Sequence, residues 1–208
     1  IERKPYFPET EEVVRHRFAF RPAEGDKIRL FHISDAHNRV ESPVQAAKAM
    51  GGNIDLLVLN GDIPDHSGKL ENFDAIYQIC AEITQGSIPC VFARGNHDMR
   101  GIFAEKIAEY TPVQDGRSYY TFQAGKLWGL VLDCGEDKDD GSTGYGNTIC
   151  CHAFRKRQTE FLKKTAAAQE YKPFKYKVVI VHKPFTYVQS PPFDIEQELY
   201  KEWCDILS

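Results

Sequence analysis

The chain has 208 residues, of which 42% are hydrophobic, 12% aromatic and 27% charged, a composition that supports one good-sized globular domain and excludes disorder and collagen-like repeats. With 30 acidic against 26 basic side chains the net charge is −4, which leaves no basic stripe for nonspecific duplex binding and disfavours nucleic acid as a partner. The longest apolar runs, such as Leu56 to Leu59 and Val178 to Val181, are four residues long, against the roughly 20 that a membrane helix needs, so no membrane partner is expected.

In chain order, Val13 to Phe20 alternates loosely and predicts an edge strand within an N-terminal extension over 1–27, ended by Pro22 to Asp26. Ile28 to Ile33 reads as a second strand, and a short helix from Pro43 to Met50 follows, stopped by Gly51-Gly52. The continuous apolar run Ile54 to Leu59 predicts a strand covered on both faces. Phe73, Ile76, Tyr77, Ile79, Cys80 and Ile83 recur near helical spacing and predict a helix from Leu70 to Thr84, closed by Gly86. A strand from Ile88 to Ala93 and a helix from Ile102 to Tyr110 come next. Two alternating segments, Ser118 to Gln123 and Leu127 to Leu132, then read as a hairpin turned at Ala124-Gly125-Lys126. Residues 135–149, rich in Gly, Asp, Ser and Thr, read as a long polar loop, functional or mobile rather than structural. A helix from Phe154 to Ala168, a strand from Lys175 to Val181 and a helix from Ile195 to Leu207 complete the series. No repeat or linker divides it, which predicts one α/β domain over 28–208.

The six cysteines are expected as free thiols, with Cys80, Cys90 and Cys134 as small buried hydrophobes, and thiol usage of this kind points to the reducing cytoplasm. Adjacent Cys150-Cys151 lacks a second pair and predicts no zinc ribbon. The start, Ile1-Glu2-Arg3-Lys4-Pro5, carries neither an initiator Met nor an apolar signal segment and predicts a mature or trimmed chain. Tyr119, Tyr120, Phe122 and Trp128 count as core, and His32 as a packed imidazole. Arg155-Lys156-Arg157 reads as a solvated helix face and His66 as part of a solvated loop.

Chemistry-bearing residues gather where the strands end. Ser34-Asp35-Ala36-His37 follows one, Asn60-Gly61-Asp62 the next and Gly95-Asn96-His97-Asp98 a third, while His182 ends a late strand. Ligands of open α/β sheets bind at the carboxyl ends of strands, so these loops are expected on one edge. An extended Asp35-Ala36-His37 segment would project Asp35 and His37 to one side, and Gly61 and Gly95 would let the backbone turn tightly beside Asp62 and Asn96. Singly, the acids fit helix caps or Asx-turns and the histidines fit core or surface positions. Jointly, two carboxylates, an amide oxygen and two imidazoles suit Mn, Zn, Fe or Co rather than a thiolate-selective ion.

These motifs, Asp-x-His, Gly-Asp, Gly-Asn-His-Asp and a later His in that order, resemble the calcineurin-like metallophosphoesterases over roughly residues 28–185; Leu132 to Gly135 is similar to a loop of that family too. The resemblance implies two mixed β-sheets sandwiched between helices, with the 118–132 hairpin and the 175–181 strand in the second sheet. It implies two divalent or trivalent metal ions (Mn, Fe or Zn): Asp35 and His37 on the first, Asp62 bridging, Asn96 and His182 on the second. It makes His97 a catalytic acid or charge stabiliser near the substrate phosphate, with Asp98 orienting its ring. Arg39 and Arg100, close after two of the loops, are even candidates for holding that phosphate or for the plain surface. The implied activity is hydrolysis of a small-molecule or nucleotide phosphomonoester or phosphodiester by metal-bound hydroxide, without a covalent enzyme intermediate. The family's final Gly-His-x-His motif does not occur before Ser208, which predicts a C-terminally incomplete domain with each metal short of one ligand. The competing expectations are a non-catalytic protein-binding scaffold on the same fold, and a nuclease.

Overall fold

The computed structural model describes residues 15–208. β1 (Leu30–Ile33), β2 (Leu56–Asn60) and β3 (Cys90–Ala93) form a parallel sheet in the order β1-β2-β3. Helices α1 (Glu41–Ala49) and α2 (Asp74–Thr84) occupy the crossovers, as parallel neighbours require. A second sheet follows: β4 (Tyr120–Ala124) and β5 (Leu127–Val131) make the antiparallel hairpin, and β6 (Tyr176–Ile180) pairs parallel to β5 after α3 (Cys151–Ala168). Helix α4 (Gln197–Leu207) closes the described chain.

Period-two alternation along the strands sorts the side chains into layers. Leu56 and Val58 of β2 and Val91 and Ala93 of β3 point inward onto Tyr120, Ala124, Leu127, Val131 and Ile180 of the second sheet. Leu57, Leu59 and Phe92 point outward onto Phe73, Ile76 and Ile79 at and within α2. On the far side Trp128, Leu130 and Leu132 meet Leu162 of α3 and Tyr200 and Trp203 of α4. The result is helices, sheet, sheet, helices, the sandwich that the family resemblance implies. At the end where β3 and β5 leave their sheets, the fully buried Asp133 carboxylate ties the two together, accepting from Arg94 Nε and Ser118 Oγ, both at 2.6 Å.

Several local expectations are corrected. Val13 and Val14 of the predicted edge strand lie outside the described residues, and Arg15 to Phe20 is irregular and exposed, with no strand among the described residues pairing with it. The segment predicted as a helix over 102–110 forms a 3₁₀ turn, Ala104–Glu109. His32 is exposed rather than packed, since on β1 the alternation gives the buried position to Ile33. Cys80 and Cys90 are only half-buried, while Cys134 is buried as expected; the six thiols are free. Among the described residues no helix is long and apolar enough to cross a membrane.

Arg155 departs furthest from expectation: instead of lying on a solvated helix face, it is 1% exposed. Its guanidinium donates to Cys134 O (2.7 Å), Glu136 O (2.5 Å) and Glu196 Oε1 (2.9 Å). A helix face reads as solvated from its own charges alone, and only the loop folded onto α3 reverses that. Breaking a buried charge pair from one side costs about 3–5 kcal/mol. Arg155→Ala is therefore expected to lower unfolding free energy by about that much in urea denaturation, whereas a loss below about 1 kcal/mol would mean the pair is solvated.

Candidate metal centre

The site lies where four strands end. Asp35 and His37 follow β1, Asp62 follows β2, Asn96, His97 and Asp98 follow β3, and His182 reaches in after β6 of the other sheet. Backbone bonds knit the first two loops together: Asp35 N to Gly61 O (3.2 Å), His37 N to Asp62 O (3.0 Å) and Asn38 N to Ile63 O (2.9 Å). Asp35, His37, Asn38 and Asp62 have φ of 56°, 45°, 63° and 54°, a left-handed conformation costing side-chain-bearing residues about 1–3 kcal/mol each. Left-handed turns, and not the expected strand alternation, thus bring His37 Nε2 to 3.9 Å from Asp35 Oδ1.

Asp62 is 2% exposed and central. Its Oδ1 accepts from His97 N at 2.8 Å, and its Oδ2 lies 3.3 Å from His182 Nε2. The other nitrogen of His182, Nδ1, donates to the Asn60 carbonyl at 2.8 Å. That outer bond fixes the ring and reserves Nε2 for the site. Burial alone would depress the His182 pKa, but the facing Asp62 carboxylate overrides it and raises it to about 9. Burial pushes the Asp62 carboxyl the other way, upward, and is outweighed by His182 and His97, which hold it below the usual carboxylate range.

Two groups of potential ligands result. Atoms of Asp35, Asp62 and His182 lie within 4.8 Å of one another, and so do atoms of His37, Asp62 and His97. Asp62 belongs to both. Asn96 is buried at φ −74°, which rules out a positive-φ turn role, and its amide hydrogen-bonds no described residue. An oxygen and nitrogen donor set with a shared carboxylate and no thiolate fits borderline divalent or trivalent cations.

Asp98 does not orient the His97 ring. It is fully buried, and its Oδ2 accepts from Gly95 N (2.6 Å) and Asp62 N (3.1 Å), stitching the second loop to the third, while Oδ1 has no partner. Burial, with the Asp62 charge adding to it, pushes its carboxyl up to about 7 against the pull of those amides. The ring of His97 is held instead by the Asp65 carbonyl at Nδ1 (2.8 Å) and Arg100 Nη1 at Nε2 (2.9 Å).

Of the two candidate arginines, Arg39 is exposed and forms no ion pair among the described residues. Arg100 is engaged by Glu136 and Asp137 from the long polar loop. Sequence reasoning missed Asp65, Glu136 and Asp137 individually. Their signal was position: Asp65 stands three residues after Asp62, and Glu136-Asp137 follow β5 on the edge where the other motifs lie.

The sequence model of the calcineurin-like phosphoesterase family matches residues 28–207. Among solved structures the chain is similar to a dimetal phosphatase from Danio rerio, with a TM-score of 0.56, 13% identity, and coverage of 90% of this chain and 78% of that one. It is similar also to purple acid phosphatase PPD1 from yellow lupin (Lupinus luteus) seeds, with a TM-score of 0.56, 16% identity, and coverage of 90% of this chain and 38% of that one. At such identities the likeness is one of fold. No curated protein matches the sequence.

Proposed function

The chain belongs to the calcineurin-like phosphoesterase family, and from that premise we propose that it hydrolyses a phosphomonoester or phosphodiester of small-molecule or nucleotide type at a dinuclear metal centre. The observation that carries this reading is Asp62, a buried carboxylate shared by two clusters of His and Asp donors. Asp35, His37, Asp62, Asn96 and His182 would hold the ions, drawn from Mn, Fe and Zn by the donor chemistry. The chemistry that two such cations supply is Lewis acidity toward water and toward the phosphoryl oxygens.

The protein's own part is preparation. Asn60 fixes His182 so that Nε2 faces the site, and the His97 amide fixes Asp62 Oδ1. His97 itself stands beside the centre, 4.6 Å from His37 between ring centroids. Ser34 Oγ donates within the cluster, lying 2.5 Å from Asp35 Oδ2 and 3.1 Å from Asn60 O; it is engaged there rather than poised as a nucleophile, in keeping with direct attack by water.

Two measurements test the proposal together. Equilibration with micromolar Mn²⁺ or Zn²⁺ followed by elemental analysis is expected to find close to two ions per chain. Hydrolysis of para-nitrophenyl phosphate or its bis ester is expected to depend on them, the ratio of the two rates identifying the ester class. Absence of both metal and turnover, in this chain and in one extended through a Gly-His-x-His segment, would leave a binding scaffold on this fold.

A further inference from the structure

The guanidinium of Arg100 is hemmed in by acceptors. Its Nε lies 3.0 Å from Glu136 Oε1 and its Nη2 2.8 Å from Glu136 Oε2, a two-pronged carboxylate bond, with Asp137 Oδ1 a further 3.3 Å from Nη2. Glu136 is 1% exposed and is itself anchored. Its amide donates to Cys151 Sγ at 3.4 Å, and its carbonyl accepts from the buried Arg155. Tyr145 OH stands 2.7 Å from Asp137 Oδ1 and 3.1 Å from Glu136 Oε2. A continuous set of bonds thus runs from α3 and the 135–149 loop to Nη1 of Arg100, and from there to His97.

The chemistry at that last step has one solution. A guanidinium only donates, so the nitrogen it meets at 2.9 Å, His97 Nε2, carries the lone pair. A backbone carbonyl only accepts, so His97 Nδ1, 2.8 Å from Asp65 O, carries the proton. The two neighbours demand the same tautomer, and it is the Nδ1–H form.

We infer that Arg100 and Glu136 are positioning residues, a pair that locks His97 as its Nδ1–H tautomer with Nε2 presented as an acceptor. The consequence for the proposed hydrolysis, on which the kinetic arm of the test rests, is twofold. Arg100, its charge matched by Glu136 and Asp137, is not a free clamp for the substrate phosphate. The acid role expected of His97 at Nε2 would require Arg100 to release that nitrogen.

Long-range ¹H–¹⁵N correlation spectra of the metal-free protein read the tautomer of each of its seven histidines, with His97→Gln identifying the His97 signals. At pH 8 the wild type is expected to show a protonated Nδ1 and a bare Nε2 at His97. Arg100→Gln and Glu136→Gln should move it toward the Nε2–H form, and Tyr145→Phe, a deletion of one hydroxyl, should move it partway. In the metal-loaded protein Arg100→Gln and Glu136→Gln, which free Nε2 to carry the proton, are expected to raise kcat by up to about 10-fold, the size of effect for partners that act through another residue, with KM unchanged. A protonated Nε2 at His97 in the wild type overturns the inference whatever the activity. So does an Arg100→Gln variant whose KM rises at constant kcat, which would return Arg100 to substrate binding. A wild type with the Nδ1–H tautomer but no phosphoester hydrolysis upholds the locking pair and overturns the proposed function.

Discussion

Asp62→Asn is expected to reduce bound metal from about two ions per chain to fewer than one, and to cut ester hydrolysis by at least about 10²-fold. Replacement of outer partners alone costs 10–100-fold in such sites, and Asp62 is the carboxylate common to both ligand clusters. Asparagine keeps the shape, so the His97 amide retains an acceptor where Asp62 Oδ1 now serves it. What disappears is the negative charge between the clusters, which an amide oxygen does not replace. Elemental analysis beside initial rates reads the result, and a thermal melt separates it from unfolding. A variant that keeps two ions and loses less than about 10-fold in rate would show that Asp62 is not the shared ligand.

Gly95→Ala is expected to damage the same centre from the backbone side. A Cβ at residue 95 would run into the Asp62 carboxylate and come within 2.6 Å of Asp62 N. Gly95 has no positive φ, so what excludes a side chain is space and not conformation. The neighbouring Gly61 is restricted on both counts: φ is +76°, and an added Cβ would lie 2.7 Å from Gly95 Cα and from His182 Cγ. Neither contact is relieved by turning a flexible side chain, because the backbones of two loops meet there. Overpacking of this kind costs about 1–3 kcal/mol, and the displaced Asp62 should take metal binding with it. Ion content below one per chain at a melting temperature only several degrees lower is the expected pairing. Unchanged ion content would show that the loops can part without harm to the site.

Element type was legible in most of the chain because local pattern decides it. Leu56 to Asn60 is buried on both faces, and a continuous apolar run is what such a strand requires. The helical spacing from Phe73 to Ile83 likewise marked α2, and the alternation on either side of Gly125 marked the hairpin. Failures fell where a segment's state depends on what lies beside it. Arg15 to Phe20 has the alternation of a strand but no neighbour to pair with among the described residues, and the residues near 102–110 bury too few side chains to favour an α-helix over a 3₁₀ turn.

The site divides along the same line. That Asp35, His37, Asp62, Asn96, His97 and His182 gather on one edge was legible because each occupies a strand-end loop, and topology sends such ends to one edge. The sequence could not assign their partners. Asp98 follows His97 directly, yet its carboxylate turns away to the amides of Gly95 and Asp62, while Asp65 and Arg100 take the two nitrogens of the ring.

The sequence by itself therefore determined the order of elements, the α/β class and the kind of donor atoms offered to a metal, since these follow from periodicity and residue chemistry along a short stretch of chain; the two-sheet layering was legible only through the family resemblance. Only the tertiary structure decided that Arg155 is buried, that Arg100 answers to Glu136 rather than to solvent, and that Asp62 sits between two clusters of potential ligands. Each of those depends on contacts between segments 19 to 120 residues apart, and a side chain's charge state, tautomer and exposure are set by whichever groups folding brings against it.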